Sequence, residues 1–301
     1  MRAVRIDRFG GPEVLAVQEV PDPVPASGEV LVRVVASSIN PVDAKTRADL
    51  IRGGVPELPM ILGWDLAGIV VHPGASSFEV GDRVVGMSAQ LAAGRGTWAD
   101  LVALPERVLA PAPAAAGLVE AATLPLPGLT ASQAVEWLDL SPGQRLLVTG
   151  AIGAVGGMAV QLAVHAGVVV DALVSRDAQR EQALALGATE VVTDVAQLGR
   201  GHYDGVLDTA GVRPDGAVRD GGRLASVATE AGPVPDLSGR GIATTNIQIV
   251  EDGARLVDLV KLVDDRVLRL RVDSVHPVHR VREAHERFAR GRLDGKIVLV
   301  F

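Results

Sequence analysis

Residues 145–157 read Arg-Leu-Leu-Val-Thr-Gly-Ala-Ile-Gly-Ala-Val-Gly-Gly, and their reading decides the fold. Arg145–Thr149 is a short apolar strand, Gly150–Gly157 is glycine-rich, and Met158–His165 continues as a helix. Val168–Val174, mostly β-branched, is a second strand. Strand, turn, helix and strand make a right-handed βαβ unit, which implies a parallel sheet. Within the turn, Ala151-Ile152-Gly153-Ala154-Val155-Gly156 follows Gly-x-Gly-x-x-Gly with Ala for the first glycine. Small residues are needed there because the chain turns tightly, its backbone approaches a pyrophosphate, and the helix packs close to the sheet. The N–H groups of the helix N-terminus then point at the anion. Gly150, Ala151, Ile152, Gly153, Ala154, Val155 and Gly156 are the expected dinucleotide contacts. A glycine turn that binds nothing could carry the same letters, but the flanking strand, helix and second strand favour a binding turn.

The end of the second strand selects the dinucleotide. NAD sites usually carry Asp or Glu there, on the ribose hydroxyls. This strand ends Leu173-Val174-Ser175-Arg176, with Arg180 following. Ser175, Arg176 and Arg180 can bind the 2′-phosphate of NADPH through charge-assisted hydrogen bonds. Asp171 is a rival carboxylate, though inside the strand. A solvated Ser–Arg pair at a helix start is the bland alternative.

Outward from this unit, strands alternate with helices: Asp177–Leu186 reads as a helix closed by Gly187, and Val191–Val192, Gly205–Leu207 and Arg223–Val227 as further strands. Ile242–Val250 is a later strand and a candidate edge, where pairing can build a dimer. The first ~120 residues are different: short strands such as Val30–Val35, Ile69–Val71 and Arg83–Val85, punctuated by Gly and Pro. Pro- and Ala-rich residues 111–127 mark a crossing between domains, before a helix near Thr130–Leu138. Leu256, Leu259, Val260 and Val263 share a helical face; Val272–Val275, Arg280–Arg290 and Lys296–Phe301 read as strand, helix and final strand.

Composition sets the bounds. The 301 residues suggest about two domains at ~150 residues each. With 29 basic and 36 acidic residues the net charge is −7, which disfavours a broad nucleic-acid footprint. Having no cysteine, the chain can form no disulfide, thiolate metal site or cysteine nucleophile. Charges interrupt the N-terminus from the second residue, and no run of about 18 apolar residues occurs, so neither a secretory signal nor a membrane helix is expected. A soluble, cytoplasmic protein is the expectation.

Further segments carry a family resemblance over nearly the whole length. They include Asn40-Pro41-Val42-Asp43 with Lys45, Gly63-Trp64-Asp65-Leu66-Ala67-Gly68, Gly81-Asp82-Arg83-Val84, Glu120-Ala121-Ala122-Thr123-Leu124-Pro125, Pro142-Gly143-Gln144, Leu186-Gly187-Ala188, Gly221-Gly222-Arg223-Leu224 and Gly295-Lys296-Ile297-Val298-Leu299. In this order the chain resembles the zinc-independent, zeta-crystallin-like quinone oxidoreductase branch of the medium-chain dehydrogenase/reductase superfamily. The resemblance implies an α/β fold: a Rossmann-type, doubly wound parallel sheet at 123–265, and a GroES-like β-rich catalytic domain at 1–122 and 266–301, with the active site in the cleft. It implies dimers or tetramers, here a homodimer through the 242–250 strand.

The resemblance also assigns residues. Asn40 and Thr130 match positions near nicotinamide and substrate, Ala210 and Gly211 lie beneath the nicotinamide, and Ser175 and Arg180 hold the 2′-phosphate. Asp194 departs from a Tyr often found beside the adenosine phosphate, and Met87–Gly96 and Ala210–Gly221 are short for the family. Zinc relatives carry a Cys or Asp ligand and a Gly-His-Glu segment; here Ser37 and Ser38 stand near the first and Trp64 replaces the His. Asp273, His276, His279 and His285 imitate a metal set only in composition, and no metal is expected. The expected activity is hydride transfer from NADPH to a quinone or α,β-unsaturated carbonyl, with Asn40, Lys45 and backbone amides as donors to the developing oxyanion. The catalytic candidates are Asn40, Lys45 and Thr130; Asn40 and Trp64 are the pocket candidates. Each has a plainer reading: Asn40 holding a turn before Pro41, Lys45 solvated, Trp64 in the core. Asp43 and Asp65 read as structural acceptors rather than acid–base groups. A pathway-specific enoyl or ketone reductase and a non-catalytic NADPH-binding protein are the alternatives.

Overall fold

The computed structural model describes residues 1–51, 57–228 and 232–301. They divide into two compact units, Met1–Leu126 with Val250–Arg266 and Leu270–Phe301, and Pro127–Ile249 with Val267–Arg269.

The first unit begins with strands β1 (Arg2–Ile6), β2 (Ala16–Glu19), β3 (Glu29–Ser38), β4 (Met60–Ile61), β5 (Asp65–His72), β6 (Arg83–Met87), β7 (Leu101–Pro105) and β8 (Leu109–Pro111). Helices α1 (Pro41–Arg47), α2 (Gln90–Ala93) and α3 (Leu118–Ala121) interrupt them, and α4 (Pro125–Leu138) leads out. The second unit holds β9 (Arg145–Thr149), α5 (Ala154–His165), β10 (Val169–Leu173), α6 (Arg180–Ala185), β11 (Glu190–Val192), β12 (Tyr203–Asp208), β13 (Val218–Ser226) and β14 (Ala243–Asn246). The chain then returns to the first unit as α7 (Gly253–Asp264), β15 (Val272–Pro277), α8 (Val281–Ala289) and β16 (Lys296–Val300).

In the first unit β2-β1-β4 form a small sheet, and β15-β16-β3-β5-β6-β8 a larger one in which β7 also pairs with β3. The final strand pairs antiparallel with β3, setting Val298 opposite Ser38 and Leu299 opposite Ser37. This register carries Lys296 to the start of α1, where the Ile39 amide donates to the Ile297 carbonyl at 3.0 Å. Sequence ends are thus joined to the beginning, as the GroES-like reading expects.

The second unit is a six-stranded, all-parallel sheet in the order β11-β10-β9-β12-β13-β14. The order reverses at β9, the position at which open α/β sheets bind ligands at their carboxyl ends. The parallel strand–helix–strand units through α5 and α6 follow the sequence reading. The other winding is reduced: among the described residues, the links into β12, β13 and β14 contain only 3-10 turns, Val195–Gln197, Asp215–Ala217 and Ser238–Arg240. Such short stretches, interrupted by Gly and Pro, cannot meet the cost of nucleating a helix. Leu198, Val234 and Leu237 cover this face instead, packing on Leu147, Leu173, Val206 and Leu224.

Three expectations shift. The strand expected at Ile242–Val250 is Ala243–Asn246, because its partner β13 ends at Ser226, opposite Asn246. The helix expected at Asp177–Leu186 is a 3-10 turn, Asp177–Gln179, followed by α6. Helix α7 falls in the first unit, whereas the sequence boundaries placed it with residues 123–265. The reason is packing: Leu256, Leu259, Val260 and Val263 are buried, and a Cβ on Gly253 would lie 2.4 Å from the Arg107 carbonyl oxygen. Each such buried side chain contributes about 1.5–3 kcal/mol.

Candidate active site

A polar cluster is built into the core of the first unit where β3 ends, α1 begins, β5 begins and β16 passes. Ser37, Ser38, Asn40, Asp43, Asp65 and Lys296 are all buried. Asp65 is its hub. Its Oδ1 accepts from the Leu126 amide at 2.7 Å; its Oδ2 accepts from Asn40 Nδ2 at 2.8 Å and from the Ser38 hydroxyl. Lys296 Nζ lies 3.6 Å from Oδ2, donates to the Ile39 carbonyl at 2.8 Å, and donates to Asn40 Oδ1. Burial pulls the Lys296 ammonium down, against the opposing pull of Asp65 and Asp43.

These contacts settle the orientation of the Asn40 amide. An ammonium only donates and a carboxylate only accepts, so Oδ1 faces Lys296 and Nδ2 faces Asp65. One Nδ2 hydrogen and one Oδ1 lone pair remain beyond these bonds. The Asn40 backbone amide donates to Asp43 Oδ2 at 2.8 Å, which holds the first turn of α1. Among the described residues Asp43 Oδ1 has no hydrogen-bond partner, and burial pushes the Asp43 carboxyl up to about 7. Asp43 and Asp65 are indeed acceptors of structural hydrogen bonds, as their sequence reading has it.

In the second unit the glycine turn is shaped by close approaches. Gly150 has φ +58°, and a Cβ there would meet Thr209 Oγ1 at 2.7 Å; one on Gly156 would lie 2.2 Å from the Gly150 carbonyl oxygen. The turn therefore closes with bare backbone, and α5 starts at Ala154 with Gly153 as its N-cap. This is a cradle that fits a pyrophosphate. Beside it, the loop after β12 wraps around one carboxylate. Asp208 is buried, accepts from the Thr149 hydroxyl at 2.6 Å, and accepts from the amides of Gly211 at 2.9 Å and Arg213 at 3.0 Å. Thr209 Oγ1 donates to the Thr149 carbonyl at 2.6 Å. The ends of β9 and β12, and with them Ala210 and Gly211, are thereby tied together. Sequence reasoning passed over Asp208 and Lys296; an Asp just before Thr-Ala-Gly at a strand end is the signal for the first.

At the end of β10, Ser175 is exposed and its hydroxyl donates to Gln179 Oε1 at 3.1 Å. Arg176 is exposed. Arg180 donates to the Val191 carbonyl at 2.6 Å and sits 3.4 Å from Asp177. The rival Asp171 is buried within the sheet and paired with Arg145 at 2.7 Å. Asp194 caps its own 3-10 turn by accepting from the Ala196 amide. Thr130 is buried on α4, and Lys45 is half-buried on α1.

The donor set around residues 37, 38 and 64 does not fit zinc. Ser37 donates to the Asp65 carbonyl at 2.5 Å, Ser38 donates to the Asp65 carboxylate, and residue 64 is a buried Trp. The C-terminal set is dispersed: Asp273 pairs with Arg287 at 2.7 Å, His276 is 3.1 Å from the Ser274 hydroxyl, and His285 is buried against Trp98. Among the described residues, no three His, Cys, Asp or Glu side chains are grouped to hold a metal, and no helix is long and apolar enough to cross a membrane.

A GroES-like unit completed by the last strand, with a Rossmann-type unit inserted in the chain, defines a nicotinamide-dependent dehydrogenase or reductase. Residues 26–114 match the alcohol dehydrogenase GroES-like domain, and residues 186–299 match the zinc-binding dehydrogenase family. A chloroplast envelope quinone oxidoreductase homolog of Arabidopsis thaliana is 31% identical over 99% of this chain and 98% of its own. The NADPH-dependent alkenal/one oxidoreductase of Arabidopsis thaliana chloroplasts is 28% identical over 99% of this chain and 79% of its own. A mycobacterial protein solved with NADPH superposes with a TM-score of 0.87 at 25% identity, covering 100% of both chains. The chain belongs to the medium-chain dehydrogenase/reductase superfamily, in its zeta-crystallin-like quinone oxidoreductase branch. It is an NAD(P)H-dependent reductase of that family.

Proposed function

We propose that this protein reduces quinones or α,β-unsaturated carbonyls with NADPH and without a metal. The observation that carries this reading is the Asn40 amide, held by Lys296 and Asp65 with one Nδ2 hydrogen unused by these bonds. A carbonyl that gains negative charge as hydride arrives needs a fixed donor, and one such donor is worth about 10²–10³ in rate. NADPH, when bound, supplies the hydride. Gly150–Gly156 hold its pyrophosphate, Thr130, Ala210 and Gly211 its nicotinamide end, and Ser175, Arg176 and Arg180 its 2′-phosphate. The hydride adds to the β-carbon of an enone or to a quinone, Asn40 and Lys45 stabilise the resulting oxyanion, and solvent supplies the proton. Trp64 lines the substrate pocket. The active form is a homodimer joined through β14.

The reading rests on donor chemistry, on the exposed Ser175–Arg176 pair at the end of β10, and on relatives named for quinone and NADPH-dependent alkenal reduction. NADPH oxidation followed with panels of quinones and enones tests it. Turnover of either class is expected; none with both overturns it. Arg180→Ala should weaken NADPH at least tenfold while leaving NADH within about twofold. Equal loss for both cofactors would remove Arg180 from the phosphate site.

A further inference from the structure

Away from that cluster, the first unit contains a group of buried polar nitrogens with no hydrogen-bond partner among the described residues. Arg47 ends α1, Trp98 precedes β7, and His285 lies on α8. Their exposures are 7%, 0% and 1%. The Trp98 and His285 rings stand 5.3 Å apart, edge to face at 74°. Arg47 Nε and Nη1, Trp98 Nε1 and both His285 ring nitrogens are buried, and none has a hydrogen-bond partner among the described residues. The charge of Arg47 acts on the imidazole. Glu13 is the acid that acts on Arg47, but its carboxylate accepts from the Gly11 amide at 2.9 Å instead of pairing with the guanidinium.

Buried polar groups in folded proteins are almost always satisfied, and an orphaned group calls for a water, an ion or a strain to explain it. Five orphaned nitrogens on three neighbouring residues are well beyond the usual exception. Their chemistry is weighted to one side: guanidinium and indole only donate, while neutral imidazole donates once and accepts once. Burial, with Arg47 second, pushes His285 down to about 3, so the ring is neutral and the group carries the single positive charge of Arg47. A water could accept two of these hydrogens but would leave that charge uncompensated in a medium of low dielectric. A monovalent anion supplies both the acceptor and the opposite charge.

We infer that Arg47, Trp98 and His285 form a buried site for a small monovalent anion of halide size, which ties α1 and α8 to the segment before β7. The site is independent of the hydride-transfer reading, since none of the three residues takes part in it.

Bromide is the probe. Crystals of the full chain grown with bromide should show an anomalous peak within about 3.5 Å of donor nitrogens of Arg47 and His285. In solution, melting temperature should rise saturably with bromide at constant ionic strength made up with methanesulfonate. Trp98→Phe keeps an aromatic ring and removes one donor; it should raise the half-saturating bromide concentration at least threefold, and Arg47→Met should abolish the titration. If Arg47→Met does not fold, Trp98→Phe carries the test. A site occupied by water alone, or melting that ignores bromide in the unsubstituted protein, overturns the proposal. A crystal peak without the solution titration marks an adventitious ion only and overturns it as well.

Discussion

Lys296 shows how much a single residue can organise. It is one of three lysines in a chain with 29 basic residues, and it is buried beside Asp65 at 3.6 Å. Removing one partner of a buried ion pair leaves the other charge uncompensated, at a cost of about 3–5 kcal/mol. Lys296→Met should lower unfolding stability by that amount in a denaturant titration. Asn40→Asp tests the donor separately: it exchanges the amide N–H for a carboxylate beside Asp65, and kcat should fall by about 10²–10³ with NADPH affinity kept. Asp43 adds a pH dependence. Its folded pKa, pushed up to about 7 by burial, lies above the ordinary aspartate value of 3.8. The folded state therefore binds the extra proton between these limits, and the contribution of Asp43 to stability is present at low pH and lost as pH rises through about 7. Asp43→Asn should flatten this part of the stability profile, read from melts between pH 4 and 8.

At the scale of elements, the glycine turn and the loop after β12 act as a pair. A Cβ on Gly156 would meet the Gly150 carbonyl oxygen at 2.2 Å, so Gly156→Ala must push α5 away from the end of β9. NADPH affinity should fall at least tenfold, measured by fluorescence titration, because the α5 amides no longer converge on the pyrophosphate. The turn was readable from sequence because its constraint is local: strand, small residues, helix. The Asp208 loop was legible only in part: its bonds from the Gly211 and Arg213 amides are local, but the one from the Thr149 hydroxyl comes from a residue distant in the chain. The shortness of Ala210–Gly221 could be read, but its structural consequence, a 3-10 turn where a helix would cover the sheet, depends on what else packs on that face.

For the whole molecule, the proposed assembly rests on β14. It is the edge of the six-stranded sheet, pairing with β13 on one side only. An edge strand presents unpaired backbone groups to another chain. The Ile247 amide donates to the Ser226 carbonyl of β13, so by strand alternation the Thr244 amide points to the free edge. If the dimer forms through β14, Thr244→Pro removes that amide and should shift sedimentation from dimer towards monomer; an unchanged sedimentation coefficient would place the interface elsewhere.

The sequence by itself determined the class of both units, the dinucleotide turn, the return of the last strand and the absence of zinc ligands at residues 37, 38 and 64. The turn is carried by local spacing; the class of the first unit, the returning strand and the replaced zinc positions are carried by the family resemblance of short segments. Only the tertiary structure decided that Asn40 is clamped by Lys296, that Asp171 is consumed by Arg145, and that α7 belongs with the first unit. These depend on partners far apart in the chain, and hydrogen bonds and burial exist only once the fold has brought such partners within a few ångströms of each other.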